Sequence, residues 1–182
     1  MPIYVVFLRA VNVGGRFVNM AVLAQHFRDL GYSDVQTYIN SGNVVFRSGS
    51  RSPAALAAAI EQGLPPRLGF ETHAFVRSVP EVHEIARQGM ALASDRALAD
   101  VNVALLNAAL ASEQLAVLHT LRNAVDDFVA QGSEVYWKCR IKQSQSKFSN
   151  AVFERKLKTR TTFRRAVMLH GLSAQLRGEA AR

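Results

Sequence analysis

A chain of 182 residues, 49% hydrophobic and 20% charged, has the size and composition of one globular domain or two small halves, which excludes a disordered or fibrous protein. Its single cysteine, Cys139, excludes an intrachain disulfide, and the apolar run that opens the chain, Ile3 to Leu8, is far too short to span a bilayer. The net charge of +8 is segregated: residues 1–137 hold 10 Lys+Arg against 12 Asp+Glu, whereas residues 138–182 hold 12 against 2. The opening residues carry neither a basic stretch nor a small-residue cleavage site, so a cytoplasmic protein without membrane association is expected.

In chain order, Ile3 to Leu8 reads as a strand buried on both faces. A loop with Gly14 and Gly15 follows, and Asn19 caps a helix carrying Met20, Leu23, Phe27 and Leu30 at helical spacing, closed by Gly31. Val35 to Ile39 alternates as a strand, Asn40-Ser41-Gly42-Asn43 has turn chemistry, and Val44 to Phe46 returns as a hairpin partner. Ser52-Pro53 opens a helix to about Gln62, Leu64-Pro65-Pro66 breaks it, and Glu71 to Val76 is a strand. The order β-α-β-β-α-β predicts a ferredoxin-like first half over residues 1–78.

Residues 79–182 read as a second α+β half. Ser78 to Glu81 is a capping box opening a short helix, Val101 to Leu106 is a strand, and Ser112 caps a helix. Val125–Ala130 and Glu134–Cys139 form a hairpin. A basic, serine-rich stretch leads into a helix ending near Leu157, and a last helix spans Thr162 to Leu176 before a fraying tail. The expected fold class is α+β, two small subdomains packed as one unit, the second with a hairpin and basic C-terminal helices. No repeat of fixed period is visible.

Chemistry-bearing constellations are sparse. His26, His73, His83, His119 and His170 lack metal-ligand spacing, so neither a metal nor a cofactor is expected. Asp126-Asp127 would point to opposite faces of a strand, a poor acid/base pair, and Cys139 reads as a buried thiol. The Gly14-Gly15 loop lies between a strand and a helix N-terminus, a place where backbone N–H groups can meet an anion, with Arg9 and Asn12 as further donors. Equally, two glycines allow a tight turn. Asn40 to Asn43 has the same two readings. Lys147, ahead of a helix with Asn150 near its start, is another candidate for an anion.

Two motifs, Phe7-Leu8-Arg9-Ala10-Val11-Asn12-Val13-Gly14-Gly15 and Thr37-Tyr38-Ile39-Asn40-Ser41-Gly42-Asn43-Val44-Val45-Phe46, resemble a bacterial family catalogued as domain of unknown function 1697. The resemblance is strong to Phe46, weaker through the middle, and returns at Ser146-Lys147 through Asn150 to Leu157. Ala10 stands where the family usually has glycine and Asn40 where it has glutamine. Near the end, Arg160 to Arg165 departs from the family's threonine-x-arginine-asparagine-tryptophan run. The resemblance implies an α+β fold of two subdomains and no established activity.

Two functions are expected on these grounds. The first is binding of a phosphorylated or otherwise anionic small ligand by Arg9, Asn12, Gly14, Gly15, Ser41, Asn43, Lys147 and Asn150, with no evident general base and so with binding favoured over catalysis. The alternative is weak, sequence-indifferent nucleic-acid binding by Lys138, Arg140, Lys142, Arg155, Lys158, Arg164 and Arg165, with Tyr136, Trp137 and Phe163 as stacking surfaces. A basic face meeting an acidic protein is the third partner class.

Overall fold

The computed structural model describes residues 1–180, in two compact units, Met1–Val82 and His83–Arg182. The first unit runs β1 (Ile3–Arg9), α1 (Met20–Asp29), β2 (Ser33–Tyr38), β3 (Asn43–Arg47), α2 (Pro53–Gly63), α3 (Pro65–Leu68) and β4 (His73–Ser78). Its four strands lie in the order β2-β3-β1-β4, every neighbouring pair antiparallel. β1 and β2 therefore run the same way with β3 between them, as a β-α-β-β-α-β chain requires.

Local signals position these elements as expected. The Asn19 side chain accepts from the N–H groups of Ala21 and Val22, and Ser52 caps α2 with Pro53 in its first turn. Tyr4, Val6 and Leu8 alternate on the face of β1 that meets Leu23 and Phe27 of α1 and Leu56 and Ile60 of α2. Val5 and Phe7 on the opposite face are also fully buried. The uninterrupted apolar run is thus a two-faced core strand. Leu64-Pro65-Pro66 ends α2, but the prolines then open the single turn α3, because proline fits the first helical positions.

The chain then enters α4 (Val79–Ala93), within which the first unit ends at Val82, and the second unit continues through β5 (Asp100–Leu105), α5 (Ser112–Thr120), β6 (Asp126–Gln131), β7 (Glu134–Cys139), α6 (Asn150–Leu157), β8 (Thr162–Arg165) and α7 (Ala166–Ala180). Its sheet order is β6-β7-β5-β8, all antiparallel. From β5 onward this is a second β-α-β-β-α-β path with the strand order of the first sheet. The sequence reading of a hairpin followed by helices missed it. Thr162–Arg165, expected to open the last helix, is instead a strand. It pairs Leu105 with Thr162 and Asn102 with Arg165, and the preceding Thr161 hydroxyl donates to the Leu105 carbonyl at 2.9 Å. Ladder bonds to a distant strand outweigh the local pattern there. The last helix runs on to Ala180, and the rest of the expected fraying tail lies outside the described residues.

Smaller differences follow from capping. The Ser78–Glu81 box is formed, with Glu81 accepting from the Ser78 N–H at 2.7 Å, but α4 is 15 residues long rather than short. Ala111, not Ser112, occupies the N-cap of α5, and the Gln114 side chain turns back to accept its N–H at 2.9 Å.

Candidate functional site

The loops after β1 and β2 share one edge of the first sheet and are stitched together. The Leu8 N–H donates to the Gly42 carbonyl at 2.8 Å, and the Asn12 side-chain amide donates to the Asn40 carbonyl at 3.2 Å. The other end of the same amide, Asn12 Oδ1, accepts the Val18 N–H at 2.9 Å. Gly42 sits at φ 71°, where an added Cβ would come within 3.1 Å of Val11 Cβ and 3.2 Å of Leu8 Cβ. Only glycine suits so close an approach in that conformation. Asn43 is fully buried and donates to the Tyr38 carbonyl at 3.0 Å and to the Ser41 hydroxyl at 2.7 Å. Asn12 and Asn43 therefore hold the loops in place with their own side chains.

Gly14 and Gly15 do not lie at a helix N-terminus. Both have positive φ, 57° and 82°, and Arg16 N–H closes back onto the Val13 carbonyl at 3.1 Å, making a two-residue hairpin tip. Phe17, Val18 and Asn19 separate this tip from α1, whose first N–H groups Asn19 has already taken. The expectation of an anion at the helix start is corrected accordingly. The Gly14 and Gly15 N–H groups themselves have no hydrogen-bond partner among the described residues, and Arg16 beside them is exposed. Arg9 ends β1 half-buried, its carbonyl accepting the Thr72 hydroxyl at 2.8 Å.

Sequence reasoning missed three residues at this edge. Phe17 is 76% exposed, Val13 58% and Ile39 53%. Ile39 also stands at φ 48°, an outlier for a β-branched residue. Phe17 precedes Val18 and Ile39 precedes Asn40, the two residues whose backbone groups Asn12 bonds. The only signal in the sequence was apolar residues set among asparagine and glycine.

The remaining candidates belong to the second unit. Lys147 is exposed, Ser149 caps α6, and Asn150 is its first residue, with a buried Oδ1 that has no partner among the described residues. Of the basic set, Lys138 pairs with Asp127 at 2.9 Å and Arg165 with Asp100 at 2.7 Å. Arg164 is half-buried, its guanidinium pushed down to about 10 by desolvation while it donates to Thr162 Oγ1 and the Phe163 carbonyl. Arg140, Lys142, Arg155 and Lys158 are exposed.

The expected stacking surfaces are not available. Tyr136 and Trp137 are buried, and Phe163 packs edge-on against Trp137 and Phe153. Trp137 also donates from Nε1 to Asp126 at 2.8 Å. Asp126, 1% exposed, further accepts from Ser146 Oγ at 2.9 Å and Asn123 Nδ2 at 3.0 Å. Asp127 points the other way, as strand alternation requires, toward Lys138 and Arg122. Cys139 is buried, and burial followed by the nearby Asp126 carboxylate pushes its thiol up. Among the described residues no group of three His, Cys, Asp or Glu side chains is disposed to hold a metal ion, and no helix is long and apolar enough to cross a membrane.

Residues 1–136 match the model of a family described as a protein of unknown function, DUF1697. The chain belongs to the DUF1697 family. The match carries the resemblance seen in the two N-terminal motifs through the middle of the chain. Among solved structures it is similar to the conserved bacterial protein SP0830 from Streptococcus pneumoniae, at 26% identity and a TM-score of 0.75, covering 97% of this chain and 99% of that one. No curated protein matches.

Proposed function

We propose that this DUF1697 protein binds an anionic small molecule of nucleotide type on the loop edge of its first unit. The observation that carries this reading is the pair of N–H groups at Gly14 and Gly15 without a partner among the described residues, followed in the chain by exposed Arg16 and Phe17, on a loop that Asn12 ties to Val18 and to the neighbouring turn at Asn40. N–H groups and a guanidinium suit phosphate oxygens, and a solvent-facing phenyl ring suits a stacked base. Arg9 and Ser41 border the same edge, while Asn12 and Asn43 act by positioning. Neither loop, residues 9–19 or 39–43, contains a histidine, cysteine or carboxylate, which favours binding over proton transfer. Lys147 and Asn150 belong to the second unit and are not needed for this reading.

Amide NMR titration with AMP, ATP and inorganic phosphate tests it. The expected result is saturable shifts at Gly14, Gly15 and Phe17, weaker for phosphate alone and weaker after Phe17→Ala. Shifts absent from these residues at millimolar nucleotide would sink the proposal.

A second reading rests on the exposure of Arg140, Lys142, Arg155 and Lys158 within one short basic segment. It is phosphate-only nucleic-acid contact, since the neighbouring aromatics are buried. Affinity for a mixed-sequence duplex should fall steeply with salt and be lost when these four are neutralised. Binding that survives either change argues against it.

A further inference from the structure

The second sheet leaves open a space that the first sheet fills. In the first unit α1 buries Leu23, Ala24 and Phe27, and Phe27 packs on Tyr32 and Phe46 with ring centroids at 5.9 and 5.7 Å. The topologically equivalent helix of the second unit, α5, is 9 residues long and buries Leu118 alone. Between α5 and the edge strand β6 lies a half-open cavity of about 350 Å³. Its volume is that of about a dozen waters and falls within the range of small-molecule pockets. Leu115, Leu118, Phe128 and Ala130 give it apolar walls, and His119 and Arg122 supply the polar groups.

Arg122 is pre-oriented. Its Nε meets Asp127 at 2.8 Å and one terminal nitrogen donates to the Phe128 carbonyl at 2.9 Å, which fixes the guanidinium plane at the wall and leaves further N–H donors unspent. Asp127 is shared with Lys138, so two cations answer one carboxylate there. An apolar cleft with a fixed guanidinium suits a molecule with a short hydrocarbon or aromatic body and one carboxylate.

We infer that this cavity is a binding site for a small apolar carboxylate, carried by residues of the second unit alone and independent of the loop edge of the first. Trp137 is the only tryptophan and lies directly across the ladder from Phe128, so ligand entry has a built-in reporter.

The experiment is a fluorescence titration of the full chain with octanoate, octanol and octylamine. Octanoate should give a saturable change in Trp137 emission, with octanol weaker and octylamine without effect. Arg122→Gln should weaken octanoate by about tenfold, the worth of one charge-assisted hydrogen bond. Ala130→Phe, which fills the cavity from an exposed position, should abolish the response while leaving Arg122 in place. No saturable response in the unsubstituted protein, equal binding of octylamine, or an undiminished response in Ala130→Phe overturns the inference. Should Arg122→Gln not fold, Ala130→Phe and the octylamine comparison decide the matter by themselves.

Discussion

The two units share a strand order but treat the same edge differently. In each, the chain leaving the first strand donates a backbone N–H into the hairpin turn: Leu8 to Gly42 at 2.8 Å in one, Leu106 to Ser133 at 2.9 Å in the other. The second unit makes the connection with residues 106–111 before α5 and only Gly132 and Ser133 in the turn. The first spends residues 10–19 and a turn of residues 39–42. It also places Ala10, Asn12 and Ile39 at positive φ, whereas the second unit has only Lys158 among its described non-glycine residues. Longer connections and more positive-φ residues set the first edge apart from the second.

The largest effects should come from features the units do not share. β1 is apolar on both faces, so Val6→Asp buries an unpaired carboxylate and is expected to cost about 3–5 kcal/mol, read as a lower urea midpoint. An unchanged midpoint would break the assignment of β1 as a core strand. The second unit tolerates one buried carboxylate because Asp126 has Trp137, Ser146 and Asn123 as donors. Asp126→Ala strands those donors and should cost about 2–4 kcal/mol, with a shift in Trp137 emission. Emission and stability both unchanged would show the network to be incidental.

The same contrast explains what was legible. The first unit was readable because its signals are local: an unbroken apolar run, Asn19 and Ser52 as caps, and turn residues where the chain reverses. The second depends on partners far away in sequence. Thr162-Phe163-Arg164-Arg165 has no apolar alternation and becomes a strand only by pairing with β5. Asp126 looks like a surface residue until donors from three segments surround it. At the loop edge, Asn12 and Asn43, singled out in the sequence as ligand donors, spend their amides on the protein itself, on the Asn40 and Tyr38 carbonyls and the Ser41 hydroxyl. Phe17 and Ile39 escaped notice because apolar residues are ordinarily assigned to the core.

Strain at the first edge offers a gentler probe. Ala10 has φ 68°, which costs an alanine about 1–2 kcal/mol and a glycine almost nothing. Glycine loses about 0.5–1 kcal/mol more than alanine in conformational freedom on folding. Ala10→Gly should therefore raise stability by up to about 1 kcal/mol. A fall in melting temperature would mean that Ala10 is not held in that conformation. Ala104→Gly, in the extended strand of the second unit, should destabilise.

The smallest effect concerns pH and belongs to the second unit's open edge. Partial burial works against the charge of Asp127, but hydrogen bonds from Lys138 and the Phe128 N–H and the charges of Lys138 and Arg122 outweigh it, leaving the carboxyl below its ordinary value of 3.8. A carboxyl depressed on folding contributes stability that is complete above the unfolded pKa and is lost as pH falls through the folded one. With 44% of the side chain exposed, solvent screening holds that contribution below about 1 kcal/mol. The unsubstituted protein should thus lose slightly more stability between about pH 5 and pH 3 than Asp127→Asn does, with the two curves parallel above pH 5. Curves parallel throughout would mean that Arg122 and Lys138 do not engage Asp127 in solution. The guanidinium placed at the cavity wall would then lack its anchor, and Arg122→Gln should no longer weaken octanoate relative to octanol.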